Sequence, residues 1–238
     1  MKTSRFLLAA LGLGLAVSAL AGEAEIRKNL AASIPQMGQI DEVTKSPIAG
    51  LYEVRINNSD IYYTDELGNY LVQGNLIDVK ARRNLTEERV EKLSQVDFDK
   101  LPVKDAFKIV RGNGKRKLAV FEDPNCGYCK HFEKDMRNVD NVTVYLFLYA
   151  VLGPDSNVKA RNIWCSKDAA KSWNSWMLEG TKPADAPAAC DAAALERNLA
   201  FGRKHNITGT PTLIFANGSR VPGAIPSEQV EQRLAAAN

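Results

Sequence analysis

The chain of 238 residues is short of the side chains that bind metals and relay protons. It has two histidines and four cysteines. A zinc site needs about four ligands, yet the sequence holds a single C-x-x-C, no second one and no H-x-x-x-H. His131, Cys165 and Cys190 could be recruited on paper, but without such a second motif no metal is expected. Covalent haem is excluded because Lys130 stands where C-x-x-C-H requires histidine. Beyond residue 20 no apolar run approaches the roughly 20 residues of a membrane span, and stable membrane insertion is not expected. An excess of one charge is missing too. The formal charge is +3, and taking away residues 1–21 removes Lys2, Arg5 and no acid, leaving +1. That balance offers no electrostatic case for nucleic acid. The basic residues Arg111, Lys115, Arg116 and Lys117 read as a solvated turn before a strand.

What is present begins with a leader. Lys2 and Arg5 precede the apolar run Phe6 to Leu20, and Ala19-Leu20-Ala21 has the small residues of a cleavage site. Residues 1–21 are therefore read as a secretory signal peptide. No cysteine follows that site to carry a lipid anchor. Export places the cysteines where disulfides persist. Four cysteines allow three connectivities. Because Cys126 and Cys129 form a local pair, Cys165–Cys190 is the favoured structural disulfide, stabilising the fold by roughly 3–4 kcal/mol on the chain-entropy estimate.

The mature chain reads as two modules. Residues 22–84 open with a short amphipathic helix over 23–33, Ile26 and Leu30 spaced by four. They continue as β structure: Leu51 to Ile56, Ile61 to Thr64, a turn at Asp65 to Asn69, and a return over Tyr70 to Val79. This module has no cysteine or histidine and suits a scaffold or association role. Residues 85–105 read as a polar connector helix and linker, with Thr86 as N-cap and Leu85 stapled to Val90. In residues 106–238 the order is β, α, β, helices, β, β, α. The strands are Lys117–Asp123, Val142–Tyr149, Pro211–Ala216 and Ser219–Val221; a helical insert spans about 155–204, and a helix closes over Ser227–Ala237. Asn217-Gly218 is a strong two-residue hairpin signal.

Cys126-Gly127-Tyr128-Cys129 lies between the apolar strand Leu118 to Phe121 and a helical stretch from Lys130 to Met136. A cysteine at the first turn of a helix faces unpaired backbone N–H groups and the positive end of the dipole, both of which favour its thiolate. The thiolate is the attacking species in disulfide exchange. Cys129, one turn on, is placed to resolve a mixed disulfide. A C-x-x-C after the first strand of such a module reads as a thioredoxin-like redox motif. Lys130 and His131 read as solvent-facing, with a lesser role as cations near the thiolate; Trp164, Trp173 and Trp176 read as core.

Taken together, Cys126-Gly127-Tyr128-Cys129, Ile163-Trp164-Cys165-Ser166-Lys167-Asp168, Thr210-Pro211, and Asn217-Gly218 followed by Val221-Pro222-Gly223 resemble the DsbC/DsbG family of periplasmic disulfide isomerases. Gly127 favours the DsbC branch, since the DsbG branch carries proline there. The resemblance implies a mixed α+β, α/β architecture: a small, mostly β dimerisation domain, a connector helix and a thioredoxin-like catalytic domain with a helical insertion. It implies a V-shaped homodimer, a cis Thr210–Pro211 bond beside the C-x-x-C, a structural Cys165–Cys190 bridge, no cofactor and a DsbD-type membrane reductase as electron donor. The expected activity is rearrangement of wrong disulfides in misoxidised secreted proteins by Cys126, with Cys129 resolving, in the periplasm, together with reductase and chaperone-like activity. A thiol oxidase and a dimeric holdase are the rival readings. Many thioredoxin-fold proteins carry a buried acid six residues before the first cysteine; here that residue is Val120. Glu122 and Asp123 are nearer the motif, but sequence alone does not orient them.

Overall fold

A computed structural model describes residues 13–237, with side chains from residue 22. Residues 1–12 of the expected leader lie outside the described residues, and of 13–21 only the helical course of the backbone is described. The chain divides into two compact units between Leu93 and Ser94.

In the first unit, helix α1 (Leu13–Ser33) precedes strands β1 (Ile40–Lys45), β2 (Leu51–Ile56), β3 (Asp60–Asp65) and β4 (Leu71–Val72), which form an antiparallel sheet in chain order. Ile26 and Leu30, four apart on α1, pack on Tyr52, Val54 and Ile56, the alternate residues of β2. Strand β1 was not expected. Its Asp41 and Glu42 obscure the alternation, and both are met by Arg55 of β2, at 3.5 and 3.1 Å. The expected return over 70–79 is broken. After β4 the chain forms a separate two-stranded ribbon of β5 (Ile77–Asp78) and β6 (Arg83–Asn84).

Helix α2 (Leu85–Leu93) follows, and it is less free than a polar connector. Asn84, rather than Thr86, caps it, its Oδ1 accepting from Glu87 N–H at 3.1 Å. Thr86 is buried inside the first turn, hydrogen-bonded to the Tyr63 hydroxyl and accepting from Leu76 N–H at 2.8 Å. Arg89 reaches Glu53 at 2.9 Å and Glu42 at 2.6 Å, so α2 is tied to the sheet of the first unit.

The second unit contains β7 (Phe107–Arg111), β8 (Arg116–Glu122), α3 (Gly127–Asp135), β9 (Val142–Leu148), α4 (Pro154–Trp164), α5 (Ala169–Asn174) running into a π-helical turn at Ser175–Glu179, α6 (Ala193–Lys204), β10 (Thr212–Phe215), β11 (Arg220–Pro222) and α7 (Ser227–Ala236). Its five strands lie in the order β11-β10-β8-β9-β7, with β8 and β9 parallel and the other pairs antiparallel. Helix α3 is the crossover between the parallel strands. β8 has neighbours on both sides, and both its faces are buried. Leu118 and Val120 face the core shared with α3, while Ala119 and Phe121 face the core under α6. That explains why β8 reads as a continuous apolar run. β7 was missed because it is an edge strand whose exposed Lys108 and Val110 break the pattern. Two expected surface cations are also not free. Arg116 pairs with Glu231 of α7 at 2.9 Å, and Arg111 is largely buried, 3.6 Å from Glu133.

Gly202 of α6 lies against the ring of buried Tyr149, whose hydroxyl donates to Ile207 O at 2.9 Å. A Cβ at residue 202 would meet ring atoms at 2.3–2.5 Å. Helix propensity favours alanine over glycine by about 1 kcal/mol, whereas overpacking costs about 1–3 kcal/mol. Gly202→Ala is therefore expected to destabilise the protein despite lying in a helix, lowering Tm by a few °C. Calorimetry checks the sign.

Candidate active site

The C-terminal end of β8 leads directly into the C-x-x-C, and the intervening loop is clamped from two directions. Asp123 is fully buried. Its Oδ1 accepts from Asn125 N–H and Ser156 Oγ, each at 2.7 Å, and its Oδ2 from the N–H groups of Val151 and Leu152 at 2.7 and 2.9 Å. This one carboxylate joins the loop after β8 to the loop after β9 and to α4. From the insert, Trp176 Nε1 donates to Pro124 O at 2.6 Å. The Trp176 ring is itself held by Lys130 Nζ and Lys159 Nζ, at 4.3 and 4.9 Å from its centroid.

Held this way, Cys126 becomes the N-cap of α3, and its Sγ accepts the Cys129 N–H at 3.3 Å. The two thiols are free, and their acidities are driven apart. The Cys129 side chain, the Thr210 side chain and the backbone N–H groups of Cys129 and Tyr128 lower the Cys126 pKa to about 6, against the opposing effect of burial. A 3.3 Å contact from Cys126 Sγ to Thr210 O acts the other way, since only the thiol has a proton to donate there. Burial, the Cys126 sulfur and the Glu122 carboxylate push Cys129 far above the ordinary thiol range. Cys126 is 5% exposed and Cys129 0%. The more acidic sulfur is thus also the one that solvent reaches.

The other expected residues divide by location. Thr210–Pro211 is a cis peptide, and its Thr210 carbonyl is the one beside Cys126. Tyr128 is 73% exposed, and a Cβ at Gly127 would meet nothing within 4 Å, so the surface around Cys126 is open on this side. Cys165 and Cys190 are bonded, S–S 2.04 Å, away from the C-x-x-C, joining the end of α4 to the segment before α6. Lys130 is occupied with Trp176, and the exposed His131 lies 3.8 Å from Asp135; neither is among the leading influences on Cys126. Of the tryptophans, Trp173 is wholly buried and donates to Glu133 Oε1 at 2.8 Å.

One residue at the site escaped assignment from the sequence. Glu122, the last residue of β8, is fully buried on the same strand face as Leu118 and Val120, the face that packs on α3. Neither of its carboxylate oxygens has a hydrogen-bond partner among the described residues. Burial, then Glu133, then the Cys126 sulfur hold its carboxyl well above the usual carboxylate range. The strand's parity, counted from Leu118, was the available signal.

Two thiols of opposed acidity at the start of a helix, on a central strand next to a cis-proline loop, define a thioredoxin-fold thiol–disulfide oxidoreductase. The thioredoxin-like domain family matches residues 103–238, and the disulfide bond isomerase protein N-terminal domain family matches residues 17–87. A probable thiol:disulfide interchange protein DsbC of Bordetella parapertussis is 49% identical over 195 residues, 82% of this chain and 68% of that protein. The thiol:disulfide interchange protein DsbC of Escherichia coli K12 is 30% identical over 224 residues, covering 91% and 89%. A crystal structure of a disulfide interchange protein from Neisseria gonorrhoeae superposes with TM-score 0.54 at 38% identity, covering 58% of this chain and 98% of that one. The chain belongs to the DsbC family of thiol:disulfide interchange proteins.

The geometry fixes a pH dependence. Alkylation of Cys126 by iodoacetamide should follow a single titration with a midpoint about pH 6, while Cys129 stays unmodified. The sign for stability follows from the same shift. The folded state lowers the Cys126 pKa from 9.0 to about 6. The unfolded chain therefore binds more protons in that window, and the reduced protein should gain stability as pH rises from about 6 to 9 and lose it as pH falls through 6. Denaturant titrations of the reduced protein at several pH values check this.

Proposed function

We propose that this protein is a periplasmic thiol–disulfide isomerase in which Cys126 is the nucleophile and Cys129 the resolving thiol. The Cys126 thiolate attacks one sulfur of a wrong disulfide in a secreted protein. An enzyme–substrate mixed disulfide forms and a substrate thiolate leaves. A substrate thiolate then attacks a sulfur of a different pair, and Cys126 departs as the thiolate; its low pKa makes it a good leaving group. If rearrangement stalls, Cys129 attacks Cys126, the reduced substrate leaves, and the enzyme is left oxidised. Restoring it takes two electrons from outside, which is the part assigned to a DsbD-type membrane reductase.

The observation that carries this reading is the contrast between the two sulfurs: one acidic and touched by Thr210, the other buried and held protonated. Exposed Tyr128, Val151 and Leu152 supply apolar surface for an unfolded chain; the last two belong to the loop that Asp123 ties to the C-x-x-C. The first unit supports an association role. It has no thiol of its own, and Tyr70, Val72, Ile77 and Val79 are exposed on and beside its short strands β4 and β5. Homodimerisation through residues 22–84 would set two catalytic domains around one substrate. Residues 1–21 would direct export, and no described helix is long and apolar enough to cross a membrane.

Refolding of a scrambled, disulfide-containing substrate tests the assignment. Cys126→Ala should abolish recovery of activity while leaving suppression of aggregation intact. Full retention of refolding by that variant would reduce the protein to a holdase, and a C-x-x-C found fully oxidised in cells by thiol trapping would make it an oxidase. Deleting residues 22–84 should give a monomer by sedimentation that still reduces small disulfides but isomerises poorly.

A further inference from the structure

The resolving step has a chemical requirement that the two cysteines do not meet by themselves. Cys129 must lose its proton, yet it is wholly buried. The nearby ionisable groups are few. Glu122 comes from β8, Glu133 from α3 and Arg111 from β7, with Arg137 close to Arg111.

These groups are not equivalent. Glu133 is fully engaged, with Trp173 Nε1 on one oxygen at 2.8 Å and the Arg111 guanidinium 3.6 Å from the other. Glu122 lies beside it and beside the Cys129 thiol, its two side-chain polar neighbours, wholly buried and with neither oxygen in a well-formed hydrogen bond among the described residues. Burial and the second carboxylate alongside favour the protonated form of Glu122. Glu122 is therefore an acid held ready in the core, next to the sulfur that has to be deprotonated.

We propose that Glu122 is the proton acceptor for Cys129, and that the state of Cys126 controls when it can act. This rests on the reading of Cys126 as nucleophile and Cys129 as resolving thiol. While Cys126 is a free thiolate, its negative charge discourages ionisation of both Glu122 and Cys129. Once Cys126 is tied up in a mixed disulfide its sulfur is neutral, and both penalties fall away together. Glu122 then ionises more readily, its own proton passing to solvent, and the carboxylate so formed takes the Cys129 proton. The Cys129 thiolate attacks Cys126, the Cys126–substrate S–S bond breaks as the Cys126–Cys129 bond forms, and the substrate leaves as a thiolate that is protonated from solvent. The enzyme dithiol loses two electrons and the substrate disulfide gains them. The base is thus withheld during the resting state and released only during the intermediate that needs it. It stands four residues before Cys126, on the strand face shared with Val120, where the side chain six residues before Cys126 is apolar.

The test follows single turnovers of the full-length reduced protein with oxidised glutathione, quenched in acid and read by mass spectrometry. In the wild type the Cys126–glutathione adduct should decay fast, with a rate that rises with pH as Glu122 ionises and then levels. Glu122→Gln should form the adduct at the wild-type rate but resolve it about 100-fold more slowly near neutral pH, the lower end of what a general base contributes. Its decay should keep rising with pH where the wild type has levelled, and Glu122→Asp should recover part of the rate and a levelling profile. Wild-type decay rate and profile in Glu122→Gln overturn the proposal. Failure of the wild type to form any Cys126 adduct sinks the isomerase reading instead. A measurement on the unaltered protein removes dependence on the variants' folding. Infrared difference spectra between the reduced and oxidised states should contain a protonated-carboxyl band that changes with the redox state, and a spectrum without one also overturns it.

Discussion

The second unit's chemistry depends on the hydrogen bonds that converge on the Cys126 sulfur, led by the Cys129 side chain and joined by backbone amides of the first turn. Cys129 N–H donates to Cys126 Sγ across the first turn of α3. That bond exists only if Cys126 is at the cap with extended backbone, φ −73°, ψ 118°, and the helix begins at Gly127. The cap position in turn depends on the short loop from β8, which Asp123 and Trp176 both hold. Free rotation of that loop would return Cys126 to the acidity of an ordinary thiol. The central position of β8, paired on both edges and buried on both faces, makes the loop's origin rigid.

Much of this was legible in the chain because the informative elements bury themselves completely. β8 and β9 are near-continuous apolar runs, Asn217-Gly218 marks the β10–β11 hairpin, and the last helix carries its own period; each falls within a residue or two of its expected place. β1 and β7 were lost for a shared reason. Both are edge strands, and their charged residues read as loop until a partner is known. The same blindness misread cations and caps. Arg111 looks solvated in a run of basic residues and is instead half-buried, 3.6 Å from Glu133. Thr86 looks like a cap and is instead the buried link between Tyr63 and Leu76. Local sequence reports what a side chain could do nearby, and tertiary contacts decide which option is taken.

Glu122 is the sharpest case of that limit. An acid four residues before a cysteine says nothing until the strand's parity and the helix packed above it are known together. Parity alone turns it inward; α3 then supplies Glu133 and Cys129 as neighbours, and β7 supplies Arg111. Each of those elements had its own reason to form. The buried acid is a product of their meeting, which no window of sequence contains.

The acidity of Cys126 also bears on the direction of the proposed chemistry. A thiol with a pKa of about 6 is mostly thiolate at neutral pH, yet its nucleophilicity has not been given away, because the best attacking thiol has a pKa near the ambient pH. The same value makes it a competent leaving group. A sulfur that attacks well and leaves well lowers the barrier in both directions, so substrate disulfides can be sampled and released repeatedly. Cys129, inert until deprotonated, does not cut each encounter short. Were both thiols acidic, resolution would outrun rearrangement and the site would act mainly as a reductase. On the proposed mechanism, the asymmetry between two residues one helical turn apart would give the substrate time to rearrange.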